Sequence, residues 1–279
     1  MIVRCWGARG SIPVSGREFI RYGGDTTCIE VRSENDDVLI IDAGSGIRNL
    51  GQQLITEKKY SASLLLTHVH WDHILGFPFL KPLFHSAHRL EIHGSLSVRR
   101  TIKEIIGKIM TPPFFPVHAN DIRAQIDYHG WDQERFPVYS FTVEPIALSH
   151  PNYGNGYKIT EGGKKFVFLT DNELTCHHKG GRLYNDYLEF SRDADLLIHD
   201  AGYTEMEYER TRGWGHSVYK DALRLALDAG VRRLGLFHHY PERSDDEIDH
   251  MVFECRNIIR GQNSFLECFA VHQGMEIIL

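Results

Sequence analysis

The chain has 279 residues, enough for one large α/β domain or two small ones, and its 42% apolar content supports a substantial core. A formal net charge of −6 with neutral histidine, and no long basic run, argue against a wide electrostatic footprint on duplex nucleic acid. No apolar run approaches the length that spans a bilayer. Residues 1–6 read as a strand with no signal-peptide pattern, and the scattered Cys5, Cys28, Cys176, Cys255 and Cys268 read as reduced thiols, so a cytoplasmic location is expected.

In chain order, glycine loops at residues 7–11 and 23–27 separate early strands. Residues 38–42, Val-Leu-Ile-Ile-Asp, form a short apolar strand ending at an acid, and Ala43-Gly-Ser-Gly46 turns the chain into a helix over 47–54. Residues 62–66 read as a buried strand, and 74–83 as an apolar helix or turn beneath the segment that follows that strand. Residues 97–110 alternate basic and apolar side chains at helical spacing until Thr111-Pro-Pro-Phe-Phe-Pro116 interrupts them. Strands are predicted over 139–146, 165–170, 195–199 and 231–237. An amphipathic helix over 217–229 carries Ala222, Leu225 and Ala226 on one face. A helix over 245–259 and a final strand over 270–279 close the chain. With no linker, low-complexity tract or charge block, residues 1–279 are expected to form one α/β domain, a four-layer αββα sandwich.

The densest chemistry is His68-Val-His70-Trp-Asp72-His73, four metal-capable side chains in six positions at the end of a strand. Imidazole and carboxylate are the donors that Zn²⁺ and related divalent ions prefer. A tight turn of this spacing can aim two side chains at one ion and two at a neighbour, and a metal pair can activate both ends of a displacement. Further candidates sit at other strand ends: His150 before a proline, Asp171, Asp200 in His199-Asp-Ala, His216 opening a helix, and the His238-His239 pair. Rigid strands collect functional groups on such loop edges.

On these motifs the chain resembles the metallo-β-lactamase fold superfamily, and within it the phosphodiesterase branch typified by ribonuclease Z, the tRNA 3′-processing endonuclease. His-x-His-x-Asp-His carries the superfamily likeness. His199-Asp200-Ala201-Gly202 stands where the endonuclease has His-Glu-Ala-Thr, and His216-Ser217 opens the following helix as its His-Ser/Met-Thr segment does. The resemblance implies two divalent metals, Zn²⁺ first and Mn²⁺ or Fe²⁺ as alternatives. It assigns His68, His70 and His150 to one metal, and Asp72, His73 and His238 to the other. Asp171 would bridge the two together with a hydroxide. Of the histidine pair, the endonuclease pattern favours His238 over His239. Asp200 would orient His216, which would contact the phosphate or protonate the leaving oxygen; Asp72, Asp200 and His216 are the expected catalytic set.

Three departures qualify the likeness: aspartate replaces the expected glutamate at 200, Gly202 replaces threonine, and no long glycine/proline-rich arm of the tRNA-clamping type is present. Residues 7–13 and 22–28 instead resemble stand-alone bacterial hydrolases related to cyclic-nucleotide phosphodiesterases. The expected substrate is therefore a cyclic nucleotide or short phosphodiester, with no large nucleic acid and no membrane partner. Relatives are often dimers, so a homodimer stands beside a monomer as an assembly state. Hydrolysis of a lactone, thioester or β-lactam carbonyl on the same metals is the alternative chemistry, and a non-catalytic metal- or nucleotide-binding protein the third. Phe114 or Phe115 could stack on a base, although packing into the domain is the leading expectation. Arg9 is expected at the surface, and Arg99, Arg100, Lys103 and Lys108 on a solvated helical face. His177-His178 is expected near the rim of the site.

Overall fold

Alternation along the strands sets the layering of the chain. Leu39 and Ile41 turn toward one apolar cluster and Val38 and Ile40 toward another; Phe166 and Phe168 divide in the same way from Val167 and Leu169. Each strand is thus buried on both faces, which explains runs such as Val-Leu-Ile-Ile with no polar member. The computed structural model describes residues 1–113, 115–131 and 133–279, with the backbone alone for residues 95–101.

The first half supplies β1 (Ile2–Gly7), β2 (Cys28–Arg32), β3 (Val38–Ile41), α1 (Ile47–Thr56), β4 (Ser61–Leu65), α2 (Trp71–Ile74), β5 (Arg89–Ser95), α3 (Leu96–Ile109) and β6 (Gln125–Trp131). The second half supplies β7 (Phe136–Val138), β8 (Phe141–Ala147), β9 (Asn155–Glu161), β10 (Lys164–Leu169), α4 (Tyr184–Ser191), β11 (Leu196–Asp200), α5 (Glu205–Thr211), α6 (Tyr219–Asp228), β12 (Arg233–Phe237), α7 (Asp245–Gly261), β13 (Glu267–Ala270) and β14 (Glu276–Ile278).

These strands form two seven-stranded sheets, in the orders β14-β1-β2-β3-β4-β5-β6 and β13-β12-β11-β10-β9-β8-β7. Val3, Ile29, Leu39 and Leu65 of the first sheet meet Tyr157, Phe166, Phe168, Ile198 and Phe237 of the second in one cluster. Outside the first sheet, Ile47, Leu50 and Leu54 of α1 and Ile102 and Ile106 of α3 cover Ile40 and Leu64. Outside the second, Ala222, Leu225 and Ala226 of α6 and Met251, Val252 and Cys255 of α7 cover Val167, Leu197 and Leu234. The order helix, sheet, sheet, helix is the expected αββα sandwich. All five cysteines are free, and among the described residues no helix is long and apolar enough to cross a membrane.

Strand direction prepares the site. β3 and β4 run parallel; β10, β11 and β12 run parallel, and β8, antiparallel to β9 as β9 is to β10, points the same way. Their carboxyl ends therefore share an edge within each sheet.

Two expectations need correction. The final strand over 270–279 is two strands in opposite sheets, β13 beside β12 and β14 beside β1. The chain crosses between the sheets through a turn with Gly274 at φ +83, a change of partner that apolar periodicity cannot register. Arg9 is wholly buried rather than at the surface: its guanidinium donates to the carbonyls of Gly23 (2.9 Å) and Arg243 (2.7 Å) and stacks over Phe19 at 4.8 Å. It ties the first glycine loop to the segment before α7. Phe115 is half-buried against the outer cluster of the first sheet, edge-on to Phe79 at 5.5 Å. Phe114 lies outside the described residues, as do the side chains of Arg99 and Arg100.

His93 on β5 is buried, stacked on His129 at 5.0 Å, and 3.7 Å from Glu91. Burial, followed by the neighbouring His129, pushes its imidazole down to about 4. A folded-state value below the ordinary one stabilises the fold above about pH 6.5, and the contribution fades as pH falls toward about 4. Replacing His93 by leucine should remove that fraction of acid sensitivity. In urea titrations of metal-free protein, wild type should lose about 1–3 kcal/mol more than the variant over this window; parallel pH profiles would refute the assignment.

Candidate metal centre

Seven of the predicted side chains come together at the shared edge. His68, His70, Asp72 and His73 follow β4, His150 follows β8, Asp171 follows β10 and His238 follows β12. Donor atoms of His68, His70, His150 and Asp171 lie within 4.8 Å of one another, and so do those of Asp72, His73, Asp171 and His238. Asp171 is common to both groups. Its Oδ2 is 3.6 Å from His68 Nε2 and 3.9 Å from His150 Nε2, while Oδ1 is 3.2 Å from both His73 Nε2 and His238 Nε2. Asp72 Oδ2 is 3.1 Å from His238 Nε2 and 3.3 Å from His73 Nε2, and it accepts the Ser11 amide at 2.7 Å.

The two rings of the histidine pair point apart. His238 faces the carboxylates, whereas His239 Nε2 donates to the Val271 carbonyl at 2.8 Å and its ring meets Tyr22 edge-on. Gly10 shows how closely the first loop packs here, since a β-carbon on it would stand 2.4 Å from the His238 ring.

The protonation pattern suits cation binding. Burial pushes His68 well down, lowers His70, and takes His150 to about 4, so these rings present neutral lone pairs. His150 Nδ1 is 3.0 Å from the Gly215 carbonyl; a carbonyl only accepts, so Nδ1 carries the proton and Nε2, 3.1 Å from His70 Nδ1, keeps the lone pair. For Asp171, burial raises the carboxyl, but His238, His73 and His68 together hold it well below the usual range. The Nε2 atoms of His68 and His73 are buried without a hydrogen-bond partner. Orphaned imidazole nitrogens directed at buried carboxylates fit a divalent ion in each group.

Beside these groups stands a pair of different character. Asp200 at the end of β11 is fully buried, and its Oδ2 accepts from His216 Nδ1 at 2.6 Å. The His216 ring stacks on His238 with centroids 4.9 Å apart, its Nδ1 is 4.0 Å from Asp171, and its side chain keeps 14% exposure. Burial pulls this imidazole down, but Asp200 more than offsets it and holds it up at about 9. The one-carbon-shorter acid at 200 thus still reaches its histidine.

Residues 37–239 match the family model described as the Beta-lactamase superfamily domain. The chain belongs to the β-lactamase superfamily. A ribonuclease Z of Haloarcula marismortui is 27% identical over 322 aligned residues, covering 99% of this chain and 96% of the relative. The metallo-β-lactamase fold protein YhfI from Bacillus subtilis superposes with a TM-score of 0.71 at 21% identity, covering 99% of this chain and 98% of that one. A diphosphatase of the PhnP family superposes with a TM-score of 0.68 at 16% identity, covering 100% and 97%. These likenesses fit the phosphodiesterase branch of the superfamily, and the fold family implies divalent metal ions.

Within this β-lactamase superfamily site, sequence reasoning missed Asp42. It had marked the end of β3 as an acid without giving it a task. Asp42 is fully buried and accepts from the Thr67 amide and hydroxyl (both 2.8 Å) and from His73 Nδ1 (2.7 Å). It therefore fixes the His73 tautomer with Nε2 facing the cluster. The usable signal was the parallel pairing of β3 with β4, which puts the two strand ends side by side. His178 of the expected rim pair binds Glu173 rather than the cluster, and His177 turns to the Gly181 carbonyl. Asp42→Asn keeps the shape and the Thr67 contact but weakens the hold on Nδ1–H. Zn²⁺ affinity measured by chelator competition should fall roughly 10–100-fold; unchanged affinity would remove Asp42 from the site.

Proposed function

We propose that the chain is a dinuclear metal-dependent phosphodiesterase acting on cyclic nucleotides or short nucleotide phosphodiesters. The observation that carries this reading is the Asp200–His216 pair, held at 2.6 Å against the Asp171/His238 side of the cluster. Hydrolysis of a β-lactam, lactone or thioester carbonyl has no need of such a pair. A charged imidazole does have work at a phosphodiester, where negative charge gathers on the non-bridging and leaving oxygens.

His68, His70, His150 and Asp171 would hold one ion, and Asp72, His73, His238 and Asp171 the other. Zn²⁺ suits this donor set best, with Mn²⁺ and Fe²⁺ tolerated by the same groups. When bound, such a pair supplies Lewis acidity and brings the pKa of a coordinated water to about 7. The protein's own part is orientation and proton transfer. Asp200 accepts the Nδ1 proton of His216, which leaves Nε2 as the atom available to substrate. A proton on Nε2 can hydrogen-bond a phosphate oxygen and then pass to the departing alkoxide. Donors from both sheets build the two groups, so we take residues 1–279 to act as one hydrolase domain in the cytoplasm, as a monomer or homodimer.

The small substrate is favoured by the net charge of −6 and by the absence of a long basic run. The ribonuclease Z relative points toward RNA, so the assay includes both. Zn²⁺- or Mn²⁺-loaded protein should hydrolyse bis(p-nitrophenyl) phosphate and a cyclic nucleotide faster than a 3′-extended tRNA. His216→Ala should lower phosphodiester turnover about 10²–10⁴-fold with metal content intact, and removal of metal by chelation should abolish turnover. Hydrolysis of a lactone or chromogenic β-lactam that survives the substitution would move the protein to carbonyl chemistry. Preference for the tRNA would overturn the substrate size.

A further inference from the structure

Glu173 lies two residues beyond Asp171, is 1% exposed, and receives four hydrogen bonds on its two carboxylate oxygens. The Tyr208 hydroxyl (2.6 Å) and Gly213 amide (2.8 Å) donate to Oε1; the Gly215 amide (2.8 Å) and His178 Nε2 (2.7 Å) donate to Oε2. Glu173, Cys176 and His178 are close enough together to suggest a metal site of their own. Four donors already occupy the carboxylate, however, and a cation would have to displace them. The arrangement is instead a clamp on the segment joining α5 to α6.

That segment ends on His216. Gly215 adopts φ +93, and a β-carbon there would stand 2.0 Å from His150 Nδ1, so the backbone passes directly against the ring. The Gly215 amide goes to Glu173, its carbonyl accepts His150 Nδ1–H, and that carbonyl belongs to the peptide whose nitrogen is that of His216. One glycine thus links the buried carboxylate to a candidate ligand of one group and to the partner of Asp200.

We propose that Glu173 is a positioning residue: by holding Gly215 it sets the His150 ring and the His216 side chain together. Its effect on turnover rests on the phosphodiesterase reading above; its hold on His150 does not. Charge and shape are both needed. Glutamine would offer one acceptor oxygen and turn an NH₂ group toward donors that face the other oxygen.

The test compares wild type, Glu173→Gln, His216→Ala and the double variant, each assayed with saturating Zn²⁺ on bis(p-nitrophenyl) phosphate. Glu173→Gln should lower kcat roughly 10–100-fold with KM within about twofold, and most of that loss should vanish in the His216→Ala background. Co²⁺-loaded Glu173→Gln should show altered visible absorption bands, because the His150 ring has turned. Tyr208→Phe, which removes one donor from a partly exposed tyrosine, should give the same pattern at smaller size if Glu173→Gln folds poorly. An equal kcat loss in both backgrounds together with an unchanged Co²⁺ spectrum would reduce Glu173 to a fold residue and overturn the proposal. If His216→Ala keeps full phosphodiester turnover, the functional reading fails instead. The Co²⁺ spectrum then decides alone: altered bands uphold the hold on His150, and unchanged bands overturn it.

Discussion

A carboxylate that is 2% exposed sits between two groups of imidazoles, and the rest of the structure is arranged around that fact. Taking an unpaired carboxylate out of water costs several kcal/mol. Asp171 is tolerable only because positive charge is near both of its oxygens. Without metal, that charge comes from His73 beside Oδ1 and from His216, whose Nδ1 is 4.0 Å from Oδ2. Burial alone would push His73 down, yet Asp171, Asp72 and Asp42 hold it well above its ordinary value. Divalent ions would supply the same compensation and release the protons. The αββα frame serves this requirement by bringing the carboxyl ends of β4 and β8, β10 and β12 to one place, so that four side chains of one turn and three from distant parts of the chain face a common centre.

The legibility of this site in the sequence followed how each residue does its work. His68, His70, Asp72 and His73 were readable because the ligands are packed into one turn. His150, Asp171 and His238 were readable because each ends an apolar strand. Asp42 and Glu173 were not, because neither is a candidate ligand: one acts on His73 through a ring nitrogen, the other on His150 and His216 through a glycine. Nothing in the spacing of those residues links them, and only the parallel pairing of β3 with β4 and the path of the α5–α6 segment do so. The same limit explains Arg9. A cation in a glycine loop looks exposed until the Gly23 carbonyl of the next loop and the Tyr240 and Arg243 carbonyls from the far end of the chain have been brought around it. At the C-terminus, periodicity announced extended structure but not the change of sheet between β13 and β14.

The two buried acids act at different distances from the chemistry, and the difference follows from where their targets are mounted. His73 sits on a short helical turn whose backbone is already tied down, its carbonyl accepting the Ala43 amide at 2.7 Å, so one hydrogen bond from its Nδ1–H to Asp42 is enough to set the ring. His216 lies in the segment before α6, next to Gly213 and Gly215, both in the left-handed region that glycine enters most cheaply. Segments of that kind open more readily than strands. The ring hydrogen bond that His216 donates to Asp200 fixes rotation about the side chain but not the position of the backbone beneath it. The main chain needs its own anchor, and a buried carboxylate offers an acceptor oxygen to each of two amides where a carboxamide offers only one such oxygen. The Ser217 hydroxyl, donating to the Asn172 carbonyl at 2.5 Å while accepting the Leu174 amide at 3.1 Å, fastens the other side of His216 to the same loop. Candidate ligands just beyond strand ends and a candidate proton carrier held by main-chain clamps would answer one demand: groups meant to act together must keep their separation while a substrate comes and goes.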